Sequence, residues 1–307
     1  MWCSMNAQQR PPAVVVGVDG SSASRAALAW ATGEAARRAV QLRIVHGLGL
    51  PVALGLGAVV ERPLAEDARE AAHGLLTECA EYARRTRPEV DVATVLVPKD
   101  APAVLLDEAE HEDVVVVGSR GHGGIRAILL GSVSVRTSSH APCPVVVVPD
   151  TGEPAPHRGR LVVGVDGSDG SRRALRFGLG EALLTGSEVV VVNSWEVPLA
   201  ADAASLEADA QSLHEGVFDR QSEEVVAGLL AEVVDERTAH LDISAVRVQA
   251  APVKALLEAS ADADLLVVGS RGRGGVRGLV MGSVSQGVIH RSGVPVAVLP
   301  PHSEETD

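Results

Sequence analysis

Short runs of consecutive apolar residues, most of them rich in Val, alternate along the chain with longer segments in which apolar residues recur every three or four positions. A short apolar run that ends in Gly or Asp is typical of a strand buried inside a parallel sheet. The periodic segments between the runs are typical of amphipathic helices. The alternation of the two therefore predicts an α/β fold, in which a parallel sheet carries helices on both faces.

The same order of elements occurs twice, and each half is predicted to hold five strands. The first-half strands are Ala13–Val18, Leu42–His46, Val92–Val97, Val114–Val117 and Val145–Val148. The second-half strands are Leu161–Val165, Val189–Asn193, Ala245–Val248, Leu265–Val268 and Val294–Val298. The main helical segments are Leu64–Arg85, Pro102–Glu110 and Ser132 to about Ser139, then Leu206–Thr238 and Pro252–Ala261.

The clearest repeat is Val116–Pro149, which aligns without a gap with Val267–Pro300, and 17 of the 34 aligned residues are identical. The duplication divides the chain into a disordered lead-in, a first domain, a polar linker, a second domain and a tail. Their predicted bounds are residues 1–12, 13–150, 151–160, 161–300 and 301–307. A length of 307 residues is also typical of two domains.

Each copy of the repeat contains a Gly-rich loop between a strand and a helix. In the first copy Gly118 and Gly121 are followed, after nine intervening residues, by Gly131-Ser132, and the second copy keeps the spacing with Gly269, Gly272 and Gly282-Ser283. Free N–H groups at a helix start attract an anion, and glycine lets a ligand approach the backbone. We interpret the loop as a phosphate site built twice; the alternative is a purely structural corner.

The loop is neither of the two common phosphate-binding sequences. The chain has no GxxxxGK[ST] sequence, and the glycines do not form a GxGxxG that opens the first helix of a unit. Arg120 and Arg271 follow the first loop glycine in each half. Their guanidinium groups either help to neutralise phosphate or face solvent, and the sequence leaves both alternatives open.

A second candidate element lies at the end of each first strand, where Asp19 and Asp166 stand in the matching sequences VGVDGS. In a doubly wound sheet the ligand lies beyond the carboxyl ends of the strands. These carboxylates are therefore placed to accept hydrogen bonds from ribose hydroxyls or from an adenine amino group. The alternative is that each Asp only caps the following helix, although Ser21 or Ser22 could do the same.

Composition narrows the class of partner. The net charge of −13 argues against nonspecific nucleic-acid binding, which needs a basic face.

Cys3, Cys79 and Cys143 form no CxxC pair, which favours a reduced cytoplasmic location. Residues 1–12 lack a signal-peptide pattern, and the apolar segment Gly47–Val60 is too short to span a membrane and is expected to be a loop or lid.

With VGVDGS, the Ile44-Val45-His46 end of the second strand and the loop spacing in view, the chain resembles the universal stress protein family in tandem form, over about residues 13–149 and 160–300. The resemblance implies two Rossmann-like domains of the adenine nucleotide alpha hydrolase type, each with strand order 3-2-1-4-5. It also implies binding of ATP, AMP or ADP, with or without Mg²⁺.

By the same resemblance, the adenosine portion contacts the first-strand ends and the residue after the second strand, and the loop and helix start cradle the ribose phosphates. The implied residues of the first half are Val18, Asp19, Gly47, Gly118, Gly121, Gly131, Ser132, Val133 and Ser134. Those of the second half are Val165, Asp166, Ser194, Gly269, Gly272, Gly282, Ser283, Val284 and Ser285. Two departures distinguish the halves: Asn193 replaces His46, and Arg273 replaces His122.

The leading hypothesis is a nucleotide-dependent stress-response binding protein rather than an efficient enzyme. The alternatives are a slow ATPase that uses the same cradle and a scaffold without a ligand. The terminal strands Val145–Val148 and Val294–Val298, as edge strands, would offer unpaired backbone groups. We expect the two halves to pair through them and two chains to associate as a homodimer.

Overall fold

The computed structural model describes residues 10–49, 62–121, 131–151, 157–196, 208–273 and 281–301. The strands of the first half are β1 (Ala13–Gly17), β2 (Gln41–Gly47), β3 (Val92–Val97), β4 (Val114–Gly118) and β5 (Val145–Val148). Its helices are α1 (Ser22–Arg38), α2 (Arg62–Thr86), α3 (Ala101–Glu108) and α4 (Ser132–His140).

The second half repeats this order. Its strands are β6 (Arg160–Gly164), β7 (Glu188–Trp195), β8 (Ile243–Gln249), β9 (Leu265–Gly269) and β10 (Val296–Leu299). Its helices are α5 (Asp169–Thr185), α6 (Ala208–Val233), α7 (Pro252–Ala259) and α8 (Ser283–Arg291). The predicted α/β class is confirmed, and every predicted strand is present within a few residues.

All ten strands form one sheet in the order β3-β2-β1-β4-β5-β10-β9-β6-β7-β8. Pairs within a half are parallel, and each half has the predicted order 3-2-1-4-5. The halves join where β5 pairs antiparallel with β10, with Val147 opposite Val296 and Val145 opposite Val298. The expected pairing of the terminal strands therefore occurs within one chain, and β3 and β8 remain as the outer edges.

The apolar runs form two core layers, one on each face of the sheet. One layer packs alternate strand residues against α1, α2, α5 and α6, and the other packs the remaining strand residues against α3, α4, α7 and α8. Along β1, Val14 and Val16 face the first layer while Val15 faces the second. Because both faces of a parallel strand are buried, the strands are runs of Val rather than alternating sequences.

Several boundaries differ from the prediction. β6 begins at Arg160, inside the predicted linker, because the carboxylate of Asp264 accepts hydrogen bonds from the amides of Arg158, Gly159 and Arg160 and orders the chain there. β8 extends beyond Ala245–Val248 at both ends, to Ile243 and Gln249, because these flanking residues also pair with β7.

The two halves also meet through α1 and α5, where Glu34 and Glu181 occupy equivalent positions and are both buried. The guanidinium of Arg38 contacts both carboxylates and lies 5.6 Å from the ring centre of Phe177. Arg37 adds a second ion pair to Glu34 at 2.6 Å. The interface thus holds two buried carboxylates, and within the described ranges the arginines paired with them, Arg37 and Arg38, belong to the first half.

This cluster makes stability depend on pH. Burial, and then the charge of Glu34, raises the pKa of Glu181 to about 8. Between the ordinary value of 4.5 and this value, the folded chain binds more protons than the unfolded chain, so stability falls as pH rises through that range. Burial also acts to raise the pKa of Glu34, but Arg38 and Arg37 more than offset it and the pKa is lowered, so the loss of its contribution lies below this range.

We expect Glu181→Gln, which mimics the protonated acid, to flatten the decline in stability between pH 5 and pH 8 seen for the parent protein. Thermal unfolding at a series of pH values measures the effect. Parallel profiles for the parent and the variant would show that Glu181 does not titrate in this range.

Candidate functional site

The carboxyl ends of the strands define one crevice in each half. In an open parallel sheet the crevice forms where the strand order reverses, which in this chain is between β1 and β4 and between β6 and β9. Since β5 and β10 are antiparallel, the carboxyl ends of the two halves point in opposite directions. One crevice therefore opens at one set of strand ends of the ten-stranded sheet, and the other crevice opens at the opposite set.

The crevice of the second half is a cleft of about 380 Å³. All nine second-half residues predicted for the site line it: Val165, Asp166, Ser194, Gly269, Gly272, Gly282, Ser283, Val284 and Ser285. The structure thus brings together residues that the sequence places on three strand ends and one helix start. Their role toward a ligand stays a prediction.

Asp19 and Asp166 stand in tight turns between the first strand and the first helix of each half. One carboxylate oxygen of each accepts a hydrogen bond from the amide two residues later, Ser21 at 2.9 Å and Ser168 at 3.0 Å. The side chains of Ser21 and Ser168 cap α1 and α5 instead. The alternative that the Asp residues only cap the helices is therefore wrong.

The carboxylate of Asp166 also holds the Gly-rich loop, because its second oxygen accepts a hydrogen bond from the amide of Arg273 at 2.9 Å. A side chain at Gly272 would overlap this oxygen, and a side chain at Gly121 would overlap the corresponding oxygen of Asp19. The second loop glycine is thus explained by close contact with the Asp. It fixes the loop beside the carboxylate in both halves.

Val18 and Val165, which precede the Asp residues, have their backbone committed to the protein. The amide of Val18 donates to Val45 O at 3.0 Å, and the amide of Val165 donates to Val192 O at 2.9 Å. Their carbonyls accept hydrogen bonds from His46 and Asn193 respectively. What Val165 presents to the cleft is therefore mainly its apolar side chain.

The helix that follows each loop begins without a side-chain cap. Gly131 and Gly282 are the N-cap residues of α4 and α8, and neither helix start has a side-chain cap hydrogen bond. The φ angle of Gly131 is −71°, and a Cβ there would lie no closer than 3.4 Å to its neighbours. Neither backbone strain nor packing against the described residues requires glycine at this position, whereas a ligand seated on the N–H groups of the first turn would.

The serines of the first turn differ in availability. Ser132 and Ser283 are exposed at the first helical position. Ser134 and Ser285 are buried, and their hydroxyls donate to Gly131 O and Gly282 O, both at 2.9 Å. The second hydroxyl of each pair is thus committed to the helix start, which leaves its backbone N–H as the group that a ligand could use. The role of both serines of each pair as cradle residues stays a prediction.

Gly118, Gly269 and Gly47 have internal reasons to be glycine. A Cβ at Gly118 would lie 2.7 Å from the backbone of Ala23, and one at Gly269 would lie 2.8 Å from the backbone of Gly170. One at Gly47 would lie 2.8 Å from Lys99 O. Ser194, the counterpart of Gly47, carries a side chain and lines the second cleft.

Sequence reasoning missed the apolar wall of the second cleft. The wall includes Val192, Leu256 and Met281, from β7, α7 and the residue before Gly282. Arg273 lines the cleft together with Arg271, and both are exposed. The apolar periodicity of α7 is the signal that could have indicated Leu256. It predicts a buried helix face, but the sequence does not show which helix face borders a cleft.

The remaining sequence candidates that the structure describes add no further site. His122, Cys3 and residues 50–60 of the predicted loop lie outside the described residues. Burial raises the pKa of the Cys143 thiol to about 12 and also raises that of Cys79. Across the described ranges, no group of three or more His, Cys, Asp or Glu side chains could hold a metal ion, and no helix is long and apolar enough to cross a membrane.

Comparison with known proteins gives consistent matches over most of the chain. Residues 12–149 and 157–300 each match the Universal stress protein family. Universal stress protein Rv2005c of Mycobacterium tuberculosis is 31% identical over 299 residues, covering 96% of this chain and 99% of that protein. Universal stress protein Rv1996 of the same organism is 32% identical over 314 residues, covering 96% of each.

Among solved structures, a universal stress protein from Archaeoglobus fulgidus superposes with a TM-score of 0.63. It is 22% identical and covers 95% of this chain and 97% of that one. This likeness supports the fold.

Proposed function

Because the chain belongs to the universal stress protein family, we propose that it is a nucleotide-binding regulatory protein with one adenine-nucleotide site in each half. The observation that carries this proposal is the pair of uncapped helix starts. No contact with the described residues requires glycine at Gly131, and the absence of a side chain leaves space directly over the first N–H groups of α4. The second half repeats the arrangement at Gly282.

In this proposal the phosphates lie on the N–H groups of the first helical turn, where the helix dipole favours negative charge. In the second cleft, Arg271 and Arg273 add local positive charge to a chain whose net charge is −13. Asp166 accepts the ribose hydroxyls, since each of its oxygens uses one lone pair internally and retains another. The base lies against the apolar wall near Ser194.

Mg²⁺ would enter this site with the phosphates rather than in a protein cage. Among the described residues that line the second cleft, Asp166 is the one carboxylate, and no His is present. A metal that keeps several waters and binds phosphate oxygens needs few protein ligands. The exposed hydroxyl of Ser283 is the side chain best placed to assist.

The same residue set favours binding over hydrolysis. A general base must be free to take a proton from the attacking water. Within the described lining, the candidate is Asp166, and in the proposed complex the lone pairs that its oxygens retain accept the ribose hydroxyls. We therefore propose a switch or stabiliser that responds to bound ATP, ADP or AMP, with at most slow hydrolysis. The homodimer stays a prediction, and it would have to use a surface other than β5 and β10.

We expect two ATP molecules to bind per chain, because every described element of the first crevice recurs in the second. Calorimetric titration of purified chain with ATP in the presence of Mg²⁺ gives the stoichiometry, and phosphate release over hours under the same conditions gives the hydrolysis rate. Absence of saturable binding would contradict the proposal. Phosphate release with many turnovers per minute would favour the alternative of an ATPase.

A further inference from the structure

The carbonyl just before each site Asp is held by a side chain from the neighbouring strand. In the first half, Nδ1 of His46 lies 2.6 Å from Val18 O, and since a carbonyl only accepts, this nitrogen donates. In the second half, Nδ2 of Asn193 donates to Val165 O at 2.7 Å. The two different residues thus make the same hydrogen bond at the point where the chain leaves the sheet.

The side chain of Asn193 also carries an amide oxygen, which the imidazole of His46 lacks. Its amide oxygen is buried and accepts a hydrogen bond from the hydroxyl of Ser222 on α6 at 2.7 Å. Without Ser222 this oxygen would lose the partner that the structure gives it, and a buried acceptor without a partner is costly. The hydroxyl therefore completes the anchor that holds Val165.

Ala72 on α2 occupies the position equivalent to Ser222. The alternation of buried and exposed residues over 71–79 is the same as over 221–229. Leu76 and Val226 follow one turn later, and each is buried. The half with the larger His46 therefore has the smaller residue without a hydroxyl on the facing helix, and the half with Asn193 has the serine.

We propose that Asn193 and Ser222 act together as positioning residues for the Val165–Asp166 turn, and that His46 with Ala72 is the corresponding pair of the first half. The pair fixes the last backbone group before the carboxylate that faces the nucleotide. Its effect on affinity rests on the proposed function, whereas its effect on the turn does not. In this proposal, Asn193 in place of His46 is compensated by Ser222 in place of Ala72, so that both sites keep the same turn.

The test uses Gly131→Glu protein as the parent, so that binding reports on the second cleft. We expect Ser222→Ala to weaken ATP binding there about tenfold, the size expected when a buried hydrogen bond of a positioning group is lost. The double variant Asn193→His/Ser222→Ala, which copies the first-half pair, should restore the affinity to within about twofold. Ser260→Ala is the matched control, because Ser260 is equally buried but lies at the far end of α7.

Amide hydrogen exchange in the protein without nucleotide tests the turn independently of binding. Peptides that cover residues 164–168 should exchange faster in Ser222→Ala and return to the parent rate in the double variant, while Ser260→Ala leaves them unchanged. Unchanged exchange in Ser222→Ala, or a double variant no better than Ser222→Ala, would overturn the proposal. If exchange follows the expected pattern but ATP does not bind to the parent, the positioning role holds and the proposed function fails.

Discussion

Replacing Gly131 with Glu will abolish nucleotide binding in the first half and leave the affinity of the second half unchanged. The new carboxylate would project from the N-cap of α4 into the place proposed for phosphate, adding both bulk and negative charge. Like charges brought together at a binding site cost several kcal/mol, so the loss should be at least about 100-fold in affinity. Calorimetry should report one ATP per chain instead of two.

The fold should tolerate this change. The φ angle of Gly131 is one that any residue adopts, and a Cβ has ordinary contacts there. A carboxylate at a helix start also interacts favourably with the helix dipole. Gly74→Glu is the matched control, because Gly74 has open space around it on α2 and receives the same added charge. Gly282→Glu should have the reciprocal effect on the second half.

A stoichiometry that stays at two in Gly131→Glu and in Gly282→Glu, with folded circular-dichroism spectra, would place the phosphates elsewhere. Loss of both sites in either single variant would indicate that the two crevices are coupled, although they open at opposite ends of the sheet.

Arg38→Met will be the most destabilising single change at the contact between the halves. Arg38 is the cation that touches both buried carboxylates, Glu34 and Glu181. Removing one partner of a buried ionic cluster leaves charge without compensation, which typically costs about 3–5 kcal/mol. Met retains much of the length that covers Phe177, so the effect is mainly electrostatic. Denaturant unfolding at pH 9 measures the loss, because Glu181, whose pKa is raised to about 8, is then charged in the parent protein.

The double variant Arg38→Met/Glu181→Gln should recover a large part of this loss, because Gln is neutral and Glu34 keeps its ion pair with Arg37. Arg85→Met serves as the surface control, since the Arg85 side chain is 73% exposed and its ion pair with Glu81 is long at 3.9 Å. If Arg38→Met costs no more than Arg85→Met, the cluster does not stabilise the contact between the halves.

The sequence by itself determined the strands, their order and the composition of the candidate site. The side chains of apolar runs such as Val114–Val117 point alternately into the two buried core layers, one on each face of the sheet. A run without polar residues is therefore typical of a central strand. The repeat then identified equivalent positions, which is why all nine residues predicted for the second half line one cleft. Local pattern and duplication were sufficient for the strands, whereas the strand order and the full set of site residues were implied by the resemblance to the universal stress protein family.

Hydroxyl and amide directions could not be predicted in the same way. Ser132 and Ser134 are two residues apart in one motif, yet only Ser132 is exposed, because the hydroxyl of Ser134 turns back to Gly131 O. Asn193 differs from its counterpart His46, but both hold the carbonyl before the Asp. Which polar atom meets which depends on side-chain placement that residue type and spacing leave open.

Only the tertiary structure decided which groups meet at the contact between α1 and α5. The sequence shows that Glu34 and Glu181 are equivalent, but each would be a solvated residue on a helix in an isolated half. The antiparallel pairing of β5 with β10 brings α1 and α5 together and buries both carboxylates around Arg38. The physical reason is that local patterns encode which residues must leave water, whereas the contact between the halves depends on groups more than 100 residues apart, whose mutual position only the assembled sheet fixes.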